Sequence, residues 1–145
     1  MFGIDKKIED DKSLTVLFYN MGGMDTEVAL VRYSMYAVSE KKSSPYIEIL
    51  AEAHRADLGC KELDIALVNL LADRFNALKE REGKADVRTN VRAMKRLQKE
   101  AMRAKEVLSA NKRASVKVPE LLDYVTLQLT LEREEMEAAA AHVFD

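Results

Sequence analysis

At 145 residues, 48% hydrophobic and 33% charged, the chain has the size and composition of one globular domain or a piece of something larger, not of a disordered or fibrous protein. Lys and Arg total 23 against 25 Asp and Glu, a formal net charge of -2, which argues against a globally basic nucleic-acid binder. Cys60 is the single cysteine, which excludes an internal disulfide or multi-thiolate site, and two histidines, His54 and His142, leave little for zinc.

In chain order, the opening MFGIDKKIEDDKS turns acidic at once and lacks an apolar core, so no secretory leader is expected there. No apolar run further on approaches the ~18 residues of a membrane span. Residues 14–19 (LTVLFY) form a short apolar run rich in β-branched and aromatic side chains, which predicts a buried strand. Gly22 and Gly23 break it as a turn. Residues 26–33 alternate well enough to return as a second strand, with residues 35–38 extending the meander. Residues 41–45 (KKSSP) read as a polar loop, and residues 46–50 as a third strand.

Helical periodicity follows. Leu63, Leu67, Leu70, Leu71, Phe75 and Leu78 recur at three- and four-residue steps on one stripe, and Gly83 is expected to end that helix. A second helix carries Val91, Met94, Leu97, Ala101, Ala104 and Leu108 on its apolar face. Its other face is basic: residues 84–113 hold ten Lys/Arg and three Asp/Glu, a surplus of seven positive charges. Residues 114–118 and 125–129 alternate as the arms of a hairpin around Pro119. Thr130 is the expected N-cap of a final helix, whose first turns carry Glu132, Glu134 and Glu135. The fold class is α+β: a β-rich part over residues 1–57, then two long helices, a hairpin and a C-terminal helix over residues 58–145.

Each candidate for chemistry competes with a plainer account. Paired glycines let backbone N–H groups approach an anion, so Gly22 and Gly23 can cradle a phosphate, but on spacing alone an ordinary hairpin turn is favoured. The basic face, with Arg92, Lys95, Lys99, Arg103 and Lys112, has no interleaved aromatic residue for base stacking, so a solvated face is favoured over a nucleic-acid site. Glu132, Glu134, Glu135 and Glu137 read as solvated acids, since nothing points to the pocket that acid–base chemistry needs. Cys60 stands where a helix begins, a place that can activate a thiol, yet a small apolar residue at a tight junction is the favoured account. Neither His54 nor His142 has a neighbour in sequence that suggests a triad or a metal. The residues alone reach an α/β domain with a candidate anion-binding turn.

Several segments taken together resemble one family. Residues 2–7 (FGIDKK), the strand at 15–19, Asn20-Met-Gly-Gly23, Leu58-Gly59 ahead of a helix, and Arg96-Leu97 leading to Arg103-Ala104-Lys105 and Leu108-Ser109 fall in the order seen in DnaK-like seventy-kilodalton heat-shock chaperones. The part resembled is lobe II of their actin-like (ribonuclease H-like) nucleotide-binding domain. Residues 86–111 are the most specific stretch and look closest to the large glucose-regulated, hypoxia-up-regulated branch, which resides in the endoplasmic reticulum. The resemblance runs from about Phe2 to Phe144.

By that resemblance the glycine turn is the second phosphate-binding loop, with Gly22 and Gly23 offering N–H groups to the β/γ-phosphates. The second helix would set Lys105 and Ser109 against the adenosine. ATP or ADP with Mg2+ is implied for a longer parent and no cofactor for a lone fragment, and no catalytic residue or resident metal is implied in this stretch. The parent would be an ATP-binding chaperone of the endoplasmic reticulum lumen, with the cytoplasm as the alternative. Its implied partners are unfolded polypeptides and other chaperones, for one of which it would act as exchange factor, and neither nucleic acid nor membrane. The sequence departs from the family at Asn20, where an Asp opens the loop, and at Met24 and Asp25, which replace a glycine and a threonine. Met102 and Glu106 replace an acid and a base on the helix, and Cys60 replaces a second glycine. The expectation is a lobe II fragment that is not itself a competent ATPase. The alternative is a non-enzymatic α/β interaction module whose basic helix docks an acidic partner.

Overall fold

The structure, a computed structural model, describes residues 8, 12–39 and 42–144; residues 2–7 of the resemblance and Lys41 of the expected loop lie outside them. It divides into two units, Met1–Gly59 and Cys60–Asp145.

In the first unit, β-branched and aromatic residues extend the chain into β1 (Ser13–Met21), β2 (Thr26–Ser39) and β3 (Lys42–Arg55). These form an antiparallel meander in the order β1-β2-β3. The polar loop expected at residues 41–45 is corrected over its described part. Lys42 pairs with Ser39, Ser44 with Tyr36 and Pro45 with Met35, so these residues already belong to β3, their backbone groups satisfied by β2. β1 and β2 pair without a break, from Ser13 opposite Ser34 to Met21 opposite Thr26, whereas the β2–β3 register shifts at Leu30/Val31. Residues directly opposite one another share a face. One cross-strand row is Asn20, Glu27, His54; the next is Phe18, Ala29, Glu52. Thr26 and Val31 are buried, while Leu17 and Tyr19 on one face and Ile47 and Ile49 on the other stay exposed.

The second unit contains α1 (Cys60–Asn76), α2 (Val91–Ala110), the hairpin β4 (Arg113–Leu122) and β5 (Val125–Glu132), and two short helices, α3 (Arg133–Ala139) and α4 (Ala141–Phe144). Single 3-10 turns at Lys79–Arg81 and Val87–Thr89 lie between α1 and α2. The α+β class, with antiparallel sheets and two long helices, is borne out. Leu67, Leu71 and Phe75 of α1 form one buried cluster with Leu97, Ala101, Ala104 and Leu108 of α2 and with Val116, Leu127 and Leu131 of the hairpin. Each large side chain removed from water there contributes roughly 1.5–3 kcal/mol.

Four expectations are corrected in this unit. Val91, placed on the buried face, is 70% exposed at the first turn of α2, and Ala93 is buried instead. Asn90 caps that turn, its Oδ1 accepting the Ala93 N–H at 2.9 Å. Next, α1 ends at Asn76, well before Gly83, because the chain leaves the helix to bury Arg81. That guanidinium lies 5.0 Å from the Phe75 ring centroid and binds the Asp123 carboxylate and the Ala85 carbonyl. The hairpin turns not at Pro119 but at Asp123 and Tyr124, whose φ values of 52° and 62° are the left-handed pair a tight hairpin turn requires. Pro119 sits inside β4 where the pairing slips between Val118 and Leu122, a place that tolerates a residue without an N–H. Last, Thr130 pairs with Ser115 in β5, and α3 is capped at Glu132, whose N–H donates to Glu135 Oε2 at 3.0 Å.

Candidate functional site

Residues 22–25 join β1 to β2. The Gly22 N–H donates to the Asp25 carbonyl at 2.8 Å and closes the turn. A Cβ on Gly22 would stand 2.8 Å from Asp25 Oδ1, so the Asp25 carboxylate lies back over the glycine. Gly23 is different: it is exposed, and nothing comes within 4 Å of where its Cβ would be. The turn is held from behind. Thr26 Oγ1 donates to the Leu58 carbonyl at 2.6 Å, and buried Gly59 meets the Met24 backbone directly. The tight junction read at Cys60 is thus occupied by Gly59, and Cys60 itself is exposed.

Strand register adds what spacing in sequence did not reveal. His54 stands opposite Glu27 across β2 and β3, and His54 Nε2 is 3.4 Å from Asp25 Oδ2. The ligand atoms of Asp25, Glu27 and His54 all fall within 4.8 Å of one another. A cavity of about 680 Å³, lined by Phe18, Asn20, Glu27, Glu52 and His54 among others, opens at this end of the sheet. The expectation that His54 has no partner is therefore corrected. His142 has one as well, with Nε2 3.9 Å from Glu62 Oε2.

In the second unit, Lys105 and Ser109 are one helical turn apart on α2 and share a face. The Lys105 ammonium is ion-paired with Asp64 of α1, both three-quarters buried. Ser109 Oγ donates to the Glu106 carbonyl of its own helix at 2.6 Å. On the basic face of α2, Arg96 donates to the carbonyls of Pro119 and Glu120, and Arg103 lies 3.7 Å from Glu100. Part of that charge therefore works inside the unit. The four expected nucleotide contacts thus form two pairs, Gly22 with Gly23 in the first unit and Lys105 with Ser109 in the second.

The family model described as Hsp70 protein matches residues 1–145, the full length of the chain. The chain belongs to the Hsp70 family. Membership places it in the actin-like ATPase fold, of which it carries a segment. Hypoxia up-regulated protein 1 of Danio rerio is 35% identical over 130 residues, which is 90% of this chain and 13% of that protein. The Homo sapiens protein of the same name is 34% identical over the same shares. Heat shock 70 kDa protein 17 of Arabidopsis thaliana is 37% identical over 139 residues, 94% of this chain and 16% of its own. The resemblance to the large hypoxia-up-regulated branch is borne out, and this Hsp70 chain spans between 13% and 20% of the length of the curated relatives it matches. Among the described residues, no helix is long and apolar enough to cross a membrane.

Proposed function

We propose that this Hsp70 chain is the lobe II part of the nucleotide-binding domain of a large ATP-binding chaperone, β-rich over residues 1–57 and helical over residues 58–145. Gly22, Gly23, Lys105 and Ser109 are its share of a site for ATP or ADP with Mg2+. The observation that carries the reading is the Gly22–Gly23 turn between two antiparallel strands, in a chain that matches the family from end to end. The work of the longer protein is then the chaperoning of unfolded polypeptides and nucleotide exchange on a partner chaperone. The likeness to the large hypoxia-up-regulated branch supports the endoplasmic reticulum lumen as its location.

The turn fits two phosphates better than three. Gly23 has open space for an anion, whereas the Gly22 N–H is already donated to Asp25. The Asp25 carboxylate, lying over the turn, opposes a further negative group. Two like unit charges ~4 Å apart in an effective dielectric near 20 repel by about 4 kcal/mol. The longer protein therefore favours ADP over ATP and turns ATP over slowly or not at all. Titrating both nucleotides into the two-lobed protein and its Asp25→Thr variant tests this. ATP affinity should rise more than ADP affinity; equal changes would mean that Asp25 does not face the third phosphate and that the loop assignment is wrong.

A further inference from the structure

We propose that Asp25, Glu27 and His54 form a site for a divalent transition-metal ion of the zinc, cobalt or nickel class, which binds without nucleotide. The three donors come from the turn, from β2 and from β3, at positions the fold holds in place. Glu27 and His54 are directly opposite in the β2–β3 register, so both side chains leave the sheet on one face. Asp25 is set by the closed turn, which Thr26 and Gly59 fasten to residues 58–59.

The distances suit a small ion. A tetrahedral zinc with ligands ~2.1 Å away has its ligand atoms ~3.4 Å apart. His54 Nε2 and Asp25 Oδ2 are 3.4 Å apart, and the Glu27 carboxylate completes a trio within 4.8 Å. Small rotations of two exposed side chains close the remainder. Three protein donors leave the fourth position to water, and the cavity beside His54 and Glu27 gives it access.

The donor set selects the class of ion. Imidazole with carboxylate is the chemistry of zinc, cobalt and nickel, whereas calcium and magnesium favour oxygen ligands alone. Charge points the same way. The row Asn20, Glu27, His54 adds an amide oxygen beside Glu27, and the next row, Phe18, Ala29, Glu52, adds another carboxylate. The row after that is Val16, Val31, Ile49, so no lysine or arginine stands among these three rows. Asp25, Glu27 and Glu52 bring three carboxylates to this end of the sheet, and a divalent ion offsets two of their three charges.

The test is calorimetric titration of ZnCl2 into the chelator-treated 145-residue chain, with no nucleotide present, paired with Co2+ titration read by visible absorption. One equivalent should bind, and His54→Ala and Glu27→Gln should each weaken binding by about tenfold or more. His142→Ala and Cys60→Ser should leave it unchanged. Glu27 and His54 are both exposed, and far-UV circular dichroism checks that each variant keeps its strands; should His54→Ala lose them, Glu27→Gln decides. No binding below about 1 mM, binding unaffected by Glu27→Gln, or binding lost in Cys60→Ser overturns the proposal. Because nucleotide is absent from every titration, failure here leaves the nucleotide reading standing.

Discussion

Gly59 and Met24 are in direct backbone contact: a Cβ on Gly59 would stand 2.6 Å from both the N and the C of Met24. Neither atom is the end of a flexible side chain, so only a backbone shift makes room. Gly59→Ala should therefore cost about 1–3 kcal/mol, the usual range for forcing extra atoms into a packed place. It should also speed amide exchange at Gly22, whose N–H closes the turn. A denaturant melt shifted by less than about 0.5 kcal/mol would show that the turn is not seated on Gly59.

Leu97 is fully buried at the centre of the α2 face. Truncating it to Ala should cost about 2–5 kcal/mol, combining lost burial with the cavity left behind. Val91 provides the control. It is on the same helix but 70% exposed, and Val91→Ala should stay within about 0.5 kcal/mol. Equal losses at the two positions would contradict the packing described.

Asp86 caps the second 3-10 turn by accepting the Arg88 N–H at 2.8 Å. That hydrogen bond first, then the Asn76 side chain and the Arg88 charge, holds its carboxyl below the ordinary value of 3.8. A carboxylate lowered in the folded state stabilises the fold above its unfolded pKa, and the contribution is lost as pH falls through the folded pKa. Asp86→Ala should thus lower Tm near pH 7, and the gap from wild type should narrow once the pH drops below 3.8. Thermal melts on both sides of that value check it; a gap of constant size would exclude the carboxylate as its source.

The isolated chain should be a poor nucleotide binder. It holds only part of the fold of its far longer relatives, so ATP would meet few of its contacts and a Kd on the order of millimolar, or no binding, is expected. Isothermal titration returning micromolar affinity would mean that this segment carries a site of its own.

Helix faces were the most legible part of the sequence. Leu97, Ala101, Ala104 and Leu108 are buried where a 3.6-residue period puts them, because that period is a property of the backbone itself. Val91 broke the pattern only by sitting at the helix start, where fewer neighbours surround it. Turns were harder. Proline is a strong turn signal, yet Pro119 lies in a strand irregularity, and the turn falls on Asp123 and Tyr124, a pair that carries no glycine to announce it. The trio of Asp25, Glu27 and His54 was not legible at all. His54 lies far along the chain from the other two, and only the β2–β3 register brings it back.

Arg81 carries a consequence for anyone cutting this chain. Its guanidinium is closed in by Phe75, Asp123 and Ala85, whereas Lys79 and Lys84, on either side of it, face solvent. A protease that cleaves after basic residues meets four targets between α1 and α2, at Lys79, Arg81, Lys84 and Arg88, and the fold withholds Arg81. Brief trypsin treatment of the native chain should therefore nick after Lys79 or Lys84 and spare the bond after Arg81. Appearance of the Arg81 cut marks the moment at which α1 and the hairpin turn let go of each other.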